Sequence, residues 1–137
     1  MLYVEVDVHS TVPVYEQIMD QIRGAVRAGQ LAPGAPLPSV RQLAADLELN
    51  PNTVAKAYSL LERDGVVETA RRRGTLVAGT APAKARKAVH RRLQAAVDHV
   101  LEHTASLGID ADELLDALQS RLRTRRVTRP PSQRRSP

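Results

Sequence analysis

The sequence predicts a mainly α-helical protein with a small β-wing: a winged helix-turn-helix domain followed by a two-helix antiparallel dimerisation region. Three observations predict it. Two short amphipathic helices with a tight turn between them fit residues 39–65, two β-rich runs follow directly, and two further amphipathic patterns lie on either side of Gly108. We therefore divide the chain into residues 1–79, the winged domain with an N-terminal strand; 80–124, the helical dimerisation region; and 125–137, a disordered basic tail.

The first forty residues predict a strand, a helix and a stiff loop. Residues 2–8 alternate apolar and charged side chains, which is typical of a half-exposed strand, and we expect it to pair with another strand edge. A helix then begins at Pro13 and ends at Gly29, and its apolar stripe is Tyr15, Ile18, Met19, Ile22 and Val26. Residues 31–38 contain three prolines and a Pro-Gly turn, which predict an irregular connection.

The helix-turn-helix begins with a capping signal. Ser39 and Gln42 have the spacing of a capping box, and Leu43, Ala44 and Leu47 fall on one face of the helix that follows. Glu48 lies at the turn, where a glycine is often used, so either the turn carries some strain or its geometry differs.

The second helix of the pair, at about residues 51–63, has asparagine and proline at its start. Asn50 is the predicted N-cap, and Pro51 occupies the first helical position, where its missing N–H costs nothing. Gly65 ends the helix. Residues 66–69 and 75–78 are the two predicted strands of the wing, and residues 70–74 form its arginine-rich tip.

The polar start of the second helix predicts contact with duplex DNA. Side chains of this kind can enter a major groove and bind base edges and phosphates, while arginines on a loop tip suit a narrow minor groove. The predicted DNA-binding residues are Ser39, Arg41, Asn50, Asn52, Thr53, Lys56, Arg71, Arg72, Arg73, Gly74 and Thr75.

The C-terminal region predicts a helical hairpin. A long helix fits residues 83–107, and Asp110 with Glu113 opens a second helix whose staple joins Ile109 to Leu114. Two helices of this size bury too little by themselves, so we expect a second copy of the chain to complete a four-helix bundle. The alternative is that the hairpin folds back onto its own winged domain. The predicted dimerisation residues are Val89, Leu93, Val97, Val100, Leu101, Leu114, Leu115 and Leu118.

Composition excludes several classes of protein. The chain has no Cys, so it forms no disulfide or thiolate metal site, and it has no run that would span a membrane and no signal-peptide pattern. We therefore expect a cytoplasmic protein without a membrane partner. Residues 1–80 carry eight Lys/Arg against nine Asp/Glu, so the predicted DNA reader is not basic as a whole. Its cations must be brought together by folding.

Four segments together resemble the DNA-binding domain of GntR-family bacterial transcription regulators. These segments are residues 13–18, 37–44, 50–58 and 73–75, which read PVYEQI, LPSVRQLA, NPNTVAKAY and RGT. The Asn-Pro-Asn-Thr opening and the short two-helix C-terminal part resemble the YtrA subfamily. The resemblance covers about residues 10–79; beyond residue 80 it rests on size and helix count alone.

The resemblance implies a homodimeric repressor that binds a short inverted repeat. It assigns DNA contacts to Arg41 and to the start of the recognition helix, and it gives Gly74 the role of letting the wing approach the minor groove. Many family members have arginines where this chain has Pro51 and Ala55. Base recognition is therefore expected to differ here, with the asparagine amides and Lys56 carrying more of it.

Two other functions compete with DNA binding. His99 and His103 have a spacing that suits a metal, but paired histidines on a solvated helix face are more often polar surface, so we expect no metal, no cofactor and no enzyme activity. The alternative function is a non-catalytic RNA- or protein-binding adaptor that uses the helix-turn-helix as a contact module. The small number of aromatic residues disfavours single-stranded RNA. The sequence leaves open the operator, the regulated genes and the existence of a small-molecule effector.

Overall fold

The computed structural model describes residues 2–128, which form five helices and one two-stranded sheet. The helices are α1 (Val14–Arg27), α2 (Val40–Leu47), α3 (Pro51–Arg63), α4 (Ala81–Ser106) and α5 (Ala111–Thr128), and the strands are β1 (Val67–Ala70) and β2 (Gly74–Val77). The predicted mainly helical fold with a small wing is confirmed. The chain divides into a first unit that ends at Leu93 and a second unit that starts at Gln94.

The core of the first unit lies where α1 and α2 pack against α3. Ile18 and Ile22 of α1 and Val54 and Leu61 of α3 have no exposed surface. Because apolar residues recur every three or four positions on these helices, each helix buries one continuous stripe. The predicted stripe residues Met19, Val26, Ala57 and Tyr58 are buried as well.

Glu48, at the turn between α2 and α3, is strained. Of the two alternatives, strain or a different turn geometry, the structure shows strain. Glu48 has φ 55° and ψ 45°, the left-handed conformation that glycine adopts at lower cost. The backbone N–H of Leu49 donates to the carbonyl of Ala44 at 2.8 Å, which closes the turn. Asn50 then caps α3, which starts at Pro51 as the sequence predicts.

The wing is a hairpin that the preceding loop extends. β1 and β2 pair antiparallel, from Val67 opposite Val77 to Ala70 opposite Gly74. The loop before α2 also pairs with β2, since Leu37 N–H donates to the carbonyl of Thr75 and Val77 N–H donates to the carbonyl of Ala35, both at 2.9 Å. The predicted irregular loop therefore anchors the wing beside the start of α2.

The predicted N-terminal strand is wrong. Residues 2–6 have no regular secondary structure, and glutamine side chains on α1 take the place of a partner strand. The amide of Gln21 accepts a hydrogen bond from Glu5 N–H and donates to the Glu5 carbonyl, and the amide of Gln17 does the same at Asp7. Because these amides satisfy the backbone, the segment needs no ladder, and Val4 is buried against the core.

The observed units and helices have limits other than those of the predicted domains, and the domain division stays a prediction. The first unit continues past residue 79 to Leu93, because the small side chains Ala81, Ala85 and Ala88 bury the start of α4. The helix α5 continues to Thr128, beyond the predicted tail boundary at residue 125. Arginine is a good helix former and its charge is favourable near a helix C-terminus, which accounts for the longer helix. Residues 129–137 of the predicted disordered tail lie outside the described residues.

The second unit has no buried residue between Gln94 and Arg126. Gly108, with φ 74°, follows the end of α4, and the Asp110 carboxylate accepts a hydrogen bond from Glu113 N–H at 2.9 Å at the start of α5. Thr104, Ile109 and Leu114 are half-buried. No helix within residues 2–128 has the length and apolar character needed to cross a membrane.

Candidate nucleic-acid interface

The N-termini of α2 and α3 carry hydroxyl and amide groups whose acceptors are already occupied. Ser39 Oγ accepts from Gln42 N–H at 3.1 Å, and Gln42 Oε1 accepts from Ser39 N–H at 3.1 Å, so the predicted capping box is complete. Asn50 Oδ1 accepts from Asn52 N–H at 2.9 Å. The Ser39 hydroxyl hydrogen and the Asn50 amide hydrogens remain as donors toward solvent, since both residues are exposed.

Arg41 and Asn52 are exposed at this tip, and their side chains are uncommitted. Neither side chain makes a hydrogen bond or an ion pair within the part of the chain that the structure describes. Thr53, one residue further along α3, is half-buried. A guanidinium and an amide in such positions can each form two hydrogen bonds with the edge of one base.

Lys56 lies over the ring of Tyr15, a residue that the sequence predicts only as part of the apolar stripe of α1. Its Nζ lies 4.0 Å from the centre of the Tyr15 ring on α1. Tyr15 is half-buried, so its ring supplies a fixed, partly dry surface below the ammonium group. Tyr15 and Lys56 are far apart in sequence, and no spacing rule would have paired them.

The wing presents its three arginines at an exposed turn. Arg71, Arg72 and Arg73 are all exposed, and Arg73 N–H donates to the carbonyl of Ala70 at 3.2 Å. Gly74 has φ 71°, and a Cβ added there would meet nothing within 4 Å. Glycine is therefore favoured at this position by the backbone conformation and not by crowding within the chain. Thr75, which follows, is half-buried in β2.

The structure brings the predicted DNA-binding residues to the surface of the first unit but divides the predicted dimerisation residues between the two units. Val89, which is half-buried, and Leu93 belong to the first unit. In the second unit Val97, Val100 and Leu101 are 43–47% exposed, and Leu115 and Leu118 are 52% exposed. Leu114 is half-buried.

His99 and His103, whose spacing would suit a metal, stack on the surface of α4. The ring centres of His99 and His103 are 6.5 Å apart and the rings are nearly parallel. Within residues 2–128 no group of three or more His, Asp or Glu side chains is placed to hold a metal ion.

A helix pair with a tight left-handed turn, an exposed polar tip on the second helix and a two-stranded hairpin beside it define a winged helix-turn-helix protein. The family model described as "Bacterial regulatory proteins, gntR family" matches residues 14–77. An uncharacterized helix-turn-helix transcriptional regulator of Bacillus subtilis, YhcF, is 34% identical over 81% of this chain and 91% of its own length. This chain belongs to the GntR family of transcriptional regulators.

Two further similarities concern YtrA and a solved structure. The transcriptional repressor YtrA of Bacillus subtilis is 47% identical over 57% of this chain, and the match spans 60% of the length of that repressor. A GntR-family transcriptional regulator from Listeria monocytogenes has a similar structure, with a TM-score of 0.65, 26% identity, and coverage of 84% of this chain and 98% of that one. These relatives are regulators, and the prediction that the chain is not an enzyme is confirmed.

Proposed function

We propose that this protein is a homodimeric repressor that binds an inverted-repeat operator, with α3 in the major groove and the wing in the adjacent minor groove. The observation that carries the proposal is the exposed set of donors at the starts of α2 and α3, namely Arg41, Asn50 and Asn52. Exposed donors without intramolecular partners keep their hydrogen-bonding capacity for a ligand.

The wing supports the same orientation. The pairing of β2 with residues 35–37 ties the wing to the loop that leads into α2. Arginine side chains are favoured in a narrow minor groove because its negative potential is enhanced there. The name of the YtrA relative, a transcriptional repressor, supports repression as the outcome of binding.

Dimerisation is supported by the second unit. Its large apolar side chains are about half exposed although they recur at helical spacing on α4 and α5. A second copy would remove these side chains from water and would present two recognition helices to successive half-sites on one face of the duplex.

The experiment starts with selection of bound duplexes from a random pool, which identifies the operator and shows whether it is symmetric. A gel-shift assay then compares Arg41→Ala with Arg121→Ala, which removes the same charge from an exposed position on α5. We expect Arg41→Ala to weaken binding by about ten-fold or more, because a bidentate arginine contributes about 1–3 kcal/mol. The melting temperature and the affinity of the Arg121→Ala control should stay unchanged.

Unchanged operator affinity in Arg41→Ala would contradict the proposed docking. Competition with duplex RNA tests the adaptor alternative, since an RNA-binding module would release DNA at equal RNA concentration.

A further inference from the structure

A basic cavity of about 350 Å³ lies in the first unit, between the end of α3 and the first turns of α4. Its charged lining is Arg23, Arg63, Asp64, Lys84, Lys87 and Arg91. We propose that this basic cavity binds a small multivalent anion of the phosphate class. Nothing in the proposed operator recognition uses these side chains.

The cations of the basic cavity exceed the carboxylates that neutralise them. Asp64 pairs with Arg23 at 2.7 Å and with Arg63 at 3.5 Å. No ion pair joins Lys84, Lys87 or Arg91 to a carboxylate anywhere in residues 2–128. Like charges this close repel one another, and a bound anion would relieve the repulsion.

This excess of cations comes from one short stretch at the end of the first unit. Residues 1–80 carry one more acidic than basic side chain, whereas residues 81–93 hold five Lys/Arg and no Asp/Glu. The fold then places three of those five beside Arg23 and Arg63, which come from α1 and α3. Cations from three helices therefore converge on one concave surface.

Arg23 provides a second, independent observation. Its side chain is only 13% exposed, and its Nε is buried with no hydrogen-bond partner among the described residues. A buried donor of a charged group without a partner is unusual in a native protein, and a bound ion is one partner that would account for it. Nη2 of the same guanidinium donates to Asp64 at 2.7 Å and Nη1 lies 3.8 Å from Asp20, so the group is fixed in orientation before any ligand arrives.

Contacts at Gly65 join the end of α3 to the start of α4 beside the cavity. Thr80 Oγ1 donates to the carbonyl of Gly65 at 2.8 Å, and the stem of Lys84 lies against Gly65, within 3.7 Å of where a Cβ would stand. Buried Val66 and Ala88 contribute the apolar part of the lining. A preformed concave site of this size lies within the range of small-ligand sites.

Its position also favours a small anion over the operator backbone. The cavity is at the C-terminal end of α3, whereas Asn50, Asn52 and Thr53 of the proposed reading tip are at its N-terminal end. A helix of 13 residues separates its ends by about 20 Å. A duplex on the reading tip would have to extend along the whole length of the helix to reach the cavity.

The test is calorimetric titration of the full chain, without DNA, with inorganic pyrophosphate and with inorganic phosphate. We expect saturable binding, with pyrophosphate at least ten-fold tighter because it engages more of the cations. The triple variant Lys84→Gln/Lys87→Gln/Arg91→Gln should lose at least ten-fold in pyrophosphate affinity. The matched triple variant Arg121→Gln/Arg123→Gln/Arg126→Gln removes the same charge from exposed positions on α5 and should bind as the wild type does.

Three results would overturn the proposal: no saturable binding, equal loss in both triple variants, or no loss in the cavity variant. A cavity variant that loses operator affinity while the α5 variant keeps it would also overturn it, because the surface would then serve a nucleic-acid backbone. Circular dichroism checks the fold of each variant, and the single change Lys87→Gln, at an exposed side chain, replaces the triple if it is unfolded. The titration uses no DNA, so its failure is distinct from failure of the proposed repressor function.

Discussion

The helices α3 and α5 have similar apolar stripes but opposite burial. In α3 the stripe is Val54, Ala57, Tyr58 and Leu61, and each of these residues is at most 5% exposed. In α5 the leucines Leu115, Leu118 and Leu122 are 47–52% exposed. An apolar stripe thus identifies the face that a helix will bury, but it does not identify the element that covers that face.

The difference has a simple physical origin. The first unit supplies three elements that pack on α3, namely α1, α2 and β1. The second unit consists of α5 and the part of α4 from Gln94 onward. Two helices have too little surface to enclose a core. If the two stripes are buried by different partners, substitutions in them should have different effects.

The largest effect is expected from charges placed on the α5 stripe. The double substitution Leu115→Asp and Leu118→Asp should convert the proposed dimer to a monomer, because each leucine buried on association would contribute about 1.5–3 kcal/mol and the proposed dimer has two copies of each. Sedimentation velocity measures the change, and operator affinity should fall at least a hundred-fold.

The control for the double variant is Gln119→Asp, an acidic substitution at an exposed polar position of the same helix. It should leave the sedimentation coefficient unchanged. If the double variant still sediments as a dimer, the exposed leucines do not form the subunit interface.

The next largest effect is expected from the same change, leucine to alanine, made once in each stripe. Leu61→Ala removes a fully buried side chain and should lower the free energy of unfolding by about 2–5 kcal/mol at any protein concentration. Leu122→Ala, at a half-exposed position, should lower the melting temperature by an amount that depends on protein concentration. Thermal denaturation over a hundred-fold range of concentration separates the two, and concentration-independent loss in both would remove the distinction.

A smaller effect is expected at Tyr58, the polar member of the α3 stripe. Its hydroxyl donates to the carbonyl of Pro38 at 2.7 Å, and burial raises its pKa from 10.0 to about 12. Because the folded state favours the neutral phenol, this contribution to stability is complete below about pH 10 and is lost as the pH rises toward 12.

The substitution Tyr58→Phe should therefore cost about 1 kcal/mol at neutral pH and flatten the decline between pH 10 and 12. Urea denaturation at several pH values measures both quantities. An identical alkaline decline in the variant would show that Tyr58 is not the group responsible.

The smallest effect is expected at the turn before α3. Glu48→Gly relieves the left-handed strain but adds backbone entropy to the unfolded state, so the gain in unfolding free energy should be about 0.5 kcal/mol. Glu48→Ala keeps the strain and should show no gain. Equal stability of the two variants would mean that the turn is not strained.

Much of the first unit was predictable because its signals are local. The capping box at Ser39, the Asn50-Pro51 start of α3 and the positive φ at Gly65 each depend on neighbours within a few residues. The strand predicted for the N-terminal segment is wrong because alternation along the sequence indicates an extended backbone but does not show what that backbone pairs with. Gln17 and Gln21, which are distant in sequence, supply that partner.

The sequence by itself determined the helices, the wing and the polar character of the reading tip, since propensity, capping and periodicity act over short distances. Only the tertiary structure decided that Lys56 stacks on Tyr15, that the proline-rich loop pairs with β2, and that cations from α1, α3 and α4 surround one cavity. These contacts join residues far apart along the chain, and they form only when packing of the apolar stripes has fixed where each helix lies.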